Sequence, residues 1–167
     1  YLHTHDFKAY CKRLLIFAAV SEIPFNLMTM SSPIFPFHQN VMLTLLLGLL
    51  ACRAWDQKKW WKLALCALAG VVTFPDYGVM GVTTVLMFHV FRDWKWALLL
   101  GLILINWFGF EGQHLILGSC EVPIQAFAIG AILPILLYNG EKGKGGKALQ
   151  YGSYLFYPLH MLLLWLL

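Results

Sequence analysis

Long apolar runs, separated by short polar stretches, divide this chain into seven predicted helices. These runs cover approximately Lys8–Phe25, Val41–Ala54, Trp60–Phe74, Gly78–Phe91, Trp94–Phe110, Val122–Tyr138 and Leu149–Leu167. The last three are long enough to cross a bilayer, whereas the second to fourth have only about 14 or 15 residues, short of the ~20 that a span usually needs. Short helices still cross where the bilayer thins or where other helices surround them. The pattern therefore predicts an all-α fold, a polytopic transmembrane helix bundle of about seven spans.

The composition excludes an ordinary soluble domain. Hydrophobic residues make up 60% of the 167 residues and charged residues only 12%, with a mean hydropathy of +0.69. Soluble domains carry roughly 25% charged residues, so this chain needs lipid rather than water around it. Residues 1–167 then form a single membrane-embedded domain. The opening stretch Tyr1–Asp6 has the character of a loop between helices and no signal-peptide pattern, so we expect a fragment with further helices upstream.

Basic residues occur only on alternate connections between the predicted helices. They lie at the entry to the first helix and on the second, fourth and sixth connections: Lys8, Lys12, Arg13; Arg53, Lys58, Lys59, Lys62; Arg92, Lys95; Lys142, Lys144, Lys147. The positive-inside rule places these connections in the cytoplasm, so the other connections and the C-terminus face outward. The pattern predicts a multi-pass protein of the bacterial cytoplasmic (inner) membrane. The net charge of +4 follows from this topology and does not indicate a nucleic-acid partner.

Two carboxylates lie in or beside predicted spans, where a charge is expensive. Glu22 lies at the outer end of the first helix, beside Pro24, and shares a helical face with Asn26. It either belongs to an interfacial helix end or faces an outward cavity. Asp76 lies between two apolar runs with almost no loop around it. It either caps the fourth helix or has a buried partner.

Histidine and amide side chains supply the remaining polar candidates. Asn40 precedes the second helix as a good N-cap, and nearby His38 is either a plain loop residue or a base at the outer mouth of the bundle. In the last helix, Tyr154, Tyr157 and His160 stay within one 120° arc. His160 is then either a satisfied core residue or a functional group inside the membrane.

Six segments in the order of a known family carry a resemblance along nearly the whole chain. They are Tyr10–Phe17, Ser21–Asn26, Asn40–Gly48, Asp76–Gly81, Leu137–Gly140 and Phe156–His160. Through them the chain resembles the TraX family of integral membrane acyltransferases, which are similar to the type-3 membrane acyltransferases. The resemblance implies acetyl transfer from cytoplasmic acyl-CoA to an extracytoplasmic acceptor such as a conjugative pilin N-terminus. It implies acyl-CoA (acetyl-CoA) as a donor substrate, with neither a permanently bound cofactor nor a metal.

The same resemblance assigns roles to residues within the matching segments. Supporting catalytic roles fall to His160, Asp76 and Glu22, and substrate-binding roles to Arg13, Asn40, Tyr77, Tyr157 and Asn139. Family members begin with further helices that carry a His/Asp-bearing segment, so we expect the principal catalytic residue upstream of Tyr1. Two other functions stay open: an acyltransferase acting on a cell-surface glycan, and a proton-coupled transporter. A purely structural membrane protein is a further alternative.

Overall fold

The computed structural model describes residues 1, 4–109, 114–117, 120–138 and 146–167, and this part of the chain is mostly helical. Its seven α-helices are α1 (Phe7–Met30), α2 (Val41–Asp56), α3 (Trp60–Val72), α4 (Gly78–Val90), α5 (Lys95–Phe108), α6 (Ile132–Leu137) and α7 (Lys147–Leu166). Between α5 and α6 lie the antiparallel strands β1 (His114–Leu117) and β2 (Cys120–Pro123), followed by a 3₁₀ helix at Ile124–Ala131. The predicted all-α class is confirmed.

The first helix is longer than the sequence pattern predicts. Asp6 caps α1 by accepting a hydrogen bond from the amide of Ala9 at 3.0 Å. The helix continues past Pro24 and ends at Met30, where the C-cap Ser31 has a left-handed backbone with φ of 51°. Proline removes one internal hydrogen bond, and here the buried contacts of the last turns hold the helix together. At 24 residues, α1 is the one helix in the described ranges that is long and apolar enough to cross a membrane alone.

The sixth predicted helix differs from the structure. The run Val122–Tyr138 begins with the end of β2, continues as the 3₁₀ helix and becomes α-helical only at Ile132. Pairing with β1 holds the first residues of the run in β2, and Pro134 has no amide hydrogen to donate to a longer α-helix. In α6 it lies within the first turn, where the amides have no partner inside the helix.

The helices pack around α2, which contacts α1 on one side and α3 and α4 on the other. Small residues permit the close approach of α2 and α4, since a Cβ at Gly48 would lie 2.6 Å from Cβ of Val85. On the other side, α7 packs against α1, and Tyr154 of α7 stacks on Phe17 with ring centroids 4.6 Å apart. The last turns of α1, the start of α2 and the middle of α7 therefore meet at one end of the bundle.

Candidate functional site

A polar cluster at that end centres on the carboxylate of Glu22. The side-chain amide of Asn40 donates to it at 2.5 Å and the backbone amide of Asn40 at 3.4 Å. Asn26, one turn along α1, lies with its side-chain nitrogen 3.5 Å from the other carboxylate oxygen. Both asparagines are almost fully buried, so Glu22 is held from inside the bundle rather than by solvent. Glu22 and Asn26 share a helical face as predicted, and Asn40 at the start of α2 completes the polar cluster.

Asn40 combines two structural tasks. Its side-chain oxygen accepts a hydrogen bond from the amide of Met42 at 3.0 Å, which caps α2 as predicted. Its side-chain nitrogen donates both to Glu22 and to the carbonyl of Ala18 at 2.8 Å. A single buried amide thus begins one helix and orients a carboxylate on another.

Spare hydrogen-bonding capacity surrounds this cluster. The side-chain oxygens of Ser21, Asn26 and Thr44 are buried and have no hydrogen-bond partner among the described residues. Ser21 precedes Glu22, and Thr44 lies one turn along α2 from Asn40. Buried polar atoms normally find a partner, so these three oxygens are free to accept hydrogen bonds from a polar group beside them.

Beside the Glu22 cluster, Asp76 pairs with His38 across two loops. The His38 Nε2 atom lies 3.4 Å from Oδ1 of Asp76, and both side chains are about 30% exposed. Backbone hydrogen bonds join the loops: the Gln39 amide donates to Phe74 at 2.9 Å and the Asp76 amide to Gln39 at 2.7 Å. Asp76 is not the helix cap that one interpretation of the sequence proposed, because Tyr77 takes the N-cap position of α4.

The environment tunes both groups of this loop. Burial raises the pKa of Asp76, and the neighbouring His38 partly opposes that rise. Burial also raises the pKa of Tyr77, with a smaller contribution from the charge of Asp76. The ring of Phe25, which is 1% exposed, meets the His38 ring edge-on at 5.0 Å and limits its movement.

Tyr157 of α7 connects the two halves of the site. Its ring packs against the buried cluster around Met42, and its hydroxyl lies within electrostatic range of Glu22, Asp76 and Tyr77. The hydroxyl is buried beside the backbone amide of Val41 but makes no well-formed hydrogen bond with any described residue. The structure therefore brings together five of the residues selected from sequence, namely Glu22, Asn40, Asp76, Tyr77 and Tyr157.

Among the described residues, the contact of His160 with this site is the one with Tyr157. Its Nδ1 atom lies 2.9 Å from the carbonyl oxygen of Phe156, and its ring stacks on the Phe156 ring at 5.0 Å. The ring of Tyr157 meets it edge-on at 5.5 Å. Within the described chain, no hydrogen bond or ion pair joins His160 to Glu22 or Asp76.

Two further predicted site residues lie elsewhere. Arg13 is nine residues before Glu22 on α1, roughly 14 Å along the helix axis, so it belongs to the opposite end of the bundle. Its Cζ atom lies 5.7 Å from the Tyr10 ring centroid, and its buried Nε has no partner in the described residues. Asn139 lies outside the described residues.

Sequence reasoning missed the partners that the carboxylates acquire. It named His38 but did not pair it with Asp76, which is 38 residues away. It also missed a second pair at the opposite end, where Nε2 of His89 lies 2.8 Å from Asp56 and the Tyr1 hydroxyl donates to Asp56 at 2.8 Å. The hydrogen bond with His89 lowers the pKa of Asp56. Spacing along the chain carries no signal for such pairs.

Fold and site together define an all-α protein whose bundle holds a carboxylate, amide, histidine and tyrosine cluster at one end. The sequence profile of the TraX protein family matches residues 1–167, the whole chain. The chain therefore belongs to the TraX family, which is membrane-associated and has a pilin-related role in conjugation. No curated protein and no solved structure is significantly similar to the chain.

Proposed function

We propose that this TraX family member is a multi-pass inner-membrane acyltransferase. It moves an acetyl group from cytoplasmic acetyl-CoA to an extracytoplasmic acceptor such as the N-terminal amine of a pilin. The observation that carries the proposal is the cluster of Glu22, Asn40, His38, Asp76 and Tyr157. It supplies a histidine paired with a carboxylate, and a buried tyrosine hydroxyl beside the backbone amide of Val41.

The surface of the bundle supports the membrane arrangement. Side chains on the outer face of α3 are more than half exposed although they are apolar: Trp60, Trp61, Leu65, Leu68, Val71 and Val72. Such a face is stable against lipid but not against water. The loops that hold His38 and Asp76 lie on connections without lysine or arginine, whereas Arg53 and the lysines after it lie at the other end of α2. The polar cluster therefore faces outward in the proposed topology.

The chemistry follows from the His38–Asp76 pair. Nε2 of His38 lies 3.4 Å from the Asp76 carboxylate, which stabilises the imidazolium that forms when Nδ1 acts as a base. Nδ1 removes a proton from the acceptor amine while the nitrogen attacks the thioester carbonyl carbon. Tyr157 donates a hydrogen bond to the developing oxyanion. Collapse of the intermediate breaks the carbon–sulfur bond, and the coenzyme A thiolate takes the proton from His38. Glu22 accepts a hydrogen bond from the neutral acceptor amine and so orients its nitrogen for the attack.

His160 was expected to act as a supporting catalytic residue, and that role stays a prediction. Its contact with Tyr157 suits it to position the hydroxyl rather than to meet the acceptor directly. A His160→Gln variant should then lower the rate less than His38→Gln. The opposite order would return the role of base to His160.

Acetyl transfer by the full-length protein in proteoliposomes tests the proposal. Labelled acetyl-CoA is supplied to the cytoplasmic face, and a peptide with a free N-terminal amine to the other face. We expect Asp76→Asn and His38→Gln to lower the rate by roughly 100-fold or more, since general base catalysis is worth about that much. Asp93→Asn is the matched control, because Asp93 is 90% exposed and pairs only with Arg92 in the described chain.

Three outcomes of this assay would contradict the proposal. Wild-type protein that transfers no acetyl group to any amine would remove the activity. Transfer only to a glycan acceptor would mean that the protein is an acyltransferase but that its acceptor is not an amine. Proton flux coupled to solute uptake, abolished by Asp76→Asn without any acetyl transfer, would instead identify a transporter.

A further inference from the structure

A cavity at the end opposite the polar cluster is lined by three basic side chains. It has a volume of about 530 Å³ and lies between the end of α2 and the start of α3. Arg53, Lys59 and Lys62 line it together with Trp61, above a floor of apolar side chains from both helices. The volume falls in the roughly 300–1,000 Å³ range of small-molecule sites.

The three cations have no acidic partner in the part of the chain that the structure describes. The described ion pairs involve His38, His89 and Arg92 as the basic partners, and none involves a cation of this cavity. The guanidinium of Arg53 instead lies 4.1 Å from the ring centroid of Phe7, which fixes its position. Like charges gathered around one cavity attract an anion strongly.

Neighbouring features extend this site. Arg53 and Phe7 also line an adjoining cavity of about 440 Å³ between the first residues and the end of α2. Asp56, a carboxylate that also lines this cavity, is hydrogen-bonded to His89 and Tyr1 and forms no ion pair with Arg53 among the described contacts. Nζ of Lys62 lies 5.2 Å from the ring centroid of Trp61, so charge and an exposed aromatic face meet at the rim.

We propose that this cavity, called here the basic cavity, binds the phosphate groups of an anionic ligand whose other part is apolar or aromatic. Arginine and lysine contact phosphate oxygens through charge-assisted hydrogen bonds, and the Trp61 face stacks on a flat ring. On the proposed topology the basic cavity faces the cytoplasm. The proposal rests on the proposed function in one respect: it identifies the ligand as the nucleotide part of acyl-CoA. The phosphate of an anionic lipid is the other source of the same chemistry.

Binding measurements on the full-length protein test this assignment. The probes are coenzyme A and adenosine 3′,5′-bisphosphate, titrated calorimetrically into protein in nanodiscs of zwitterionic lipid. Lys59→Gln/Lys62→Gln should weaken binding by about tenfold or more and flatten its salt dependence, because two charge-assisted contacts are lost. Lys58→Gln/Lys12→Gln removes the same charge from exposed positions outside the basic cavity and should bind as the wild type does.

A lipid arm separates the two sources of phosphate. Native mass spectrometry of protein from membranes that contain phosphatidylglycerol reports retained lipid. Loss of that lipid in Lys59→Gln/Lys62→Gln but not in the control, without nucleotide binding by the wild type, would assign the basic cavity to a lipid headgroup. Equal behaviour of both double variants in both arms would overturn the proposal.

The outcomes also separate this inference from the proposed function. If wild-type protein transfers acetyl groups and both double variants bind coenzyme A equally, the function stands and the basic cavity is not the donor site. If wild-type protein neither binds coenzyme A nor transfers acetyl groups, yet retains lipid through Lys59 and Lys62, the basic cavity stands and the acyltransferase proposal fails.

Discussion

Removal of the Asn40 side chain is the sharpest test of how the polar cluster is built. Asn40→Ala deletes the cap of α2, worth about 1 kcal/mol. It also deletes the hydrogen bond to the charged Glu22, worth about 1.5–3 kcal/mol. We therefore expect a loss of about 3 kcal/mol in the free energy of unfolding. In a chain of this size that corresponds to a fall of roughly 6–12 °C in Tm.

A double-mutant cycle isolates the Asn40–Glu22 contact from the cap. Asn40→Ser keeps an oxygen that caps α2 but loses the amide donor, and Glu22→Gln removes the charge. Because the two side chains are in contact, the cycle should give a coupling energy of about 1–2 kcal/mol. Thermal unfolding in detergent, followed by the fluorescence of the seven tryptophans, measures each variant.

A matched cycle uses Asn106, another buried asparagine, whose side chain donates to the carbonyl of Leu102 at 2.8 Å and contacts no carboxylate among the described residues. Asn106→Ser combined with Glu22→Gln should be additive within about 0.5 kcal/mol. Additivity of the same size between Asn40→Ser and Glu22→Gln would refute the reasoning, since the 2.5 Å contact would then contribute nothing specific to Glu22.

Three further predictions concern packing, pH and topology. Gly81→Ala should destabilise the protein by about 1–3 kcal/mol in thermal unfolding, because its Cβ would lie 2.5 Å from two neighbouring side chains, whereas Gly152→Ala in α7 has open space and should be neutral or stabilising. The raised pKa of Asp76 means that the folded state binds more protons than the unfolded state just above pH 3.8, so Tm should fall as pH rises through the folded pKa, and Asp76→Asn should flatten that slope. In a cysteine-free background, Ser32→Cys should react with an impermeant maleimide on cells whose outer membrane is permeabilised, and Lys58→Cys should not; equal labelling of both would contradict the proposed orientation.

The amino-acid pattern by itself determined the helical class and most helix positions. The start of α2 at Val41 was predicted from Asn40, because an N-cap acts within one turn and its signal is local. The end of α1 at Met30 was not predicted, because a proline such as Pro24 usually ends a helix. Buried contacts of the residues around Pro24 allow α1 to continue. The strands before Ile124 were also missed. A short apolar segment suits a helix or a strand equally well, and the pairing of β1 with β2 decides between them.

Candidate residues could be selected from sequence because a polar group among apolar runs needs a partner wherever it lies. Which partner it finds depends on tertiary structure. Asp76 is held by His38 because a backbone bridge brings Gln39 to Pro75, and no spacing along the chain encodes that bridge.

The basic residues also show what sequence determines and what tertiary structure decides. The alternation of basic and non-basic connections along the chain predicts how the protein is oriented in the membrane, because the charge of each loop favours one side of the membrane. Only the packing of α2 against α3 gathers Arg53, Lys59 and Lys62 around one cavity, because the convergence of side chains from two helices depends on how the helices pack.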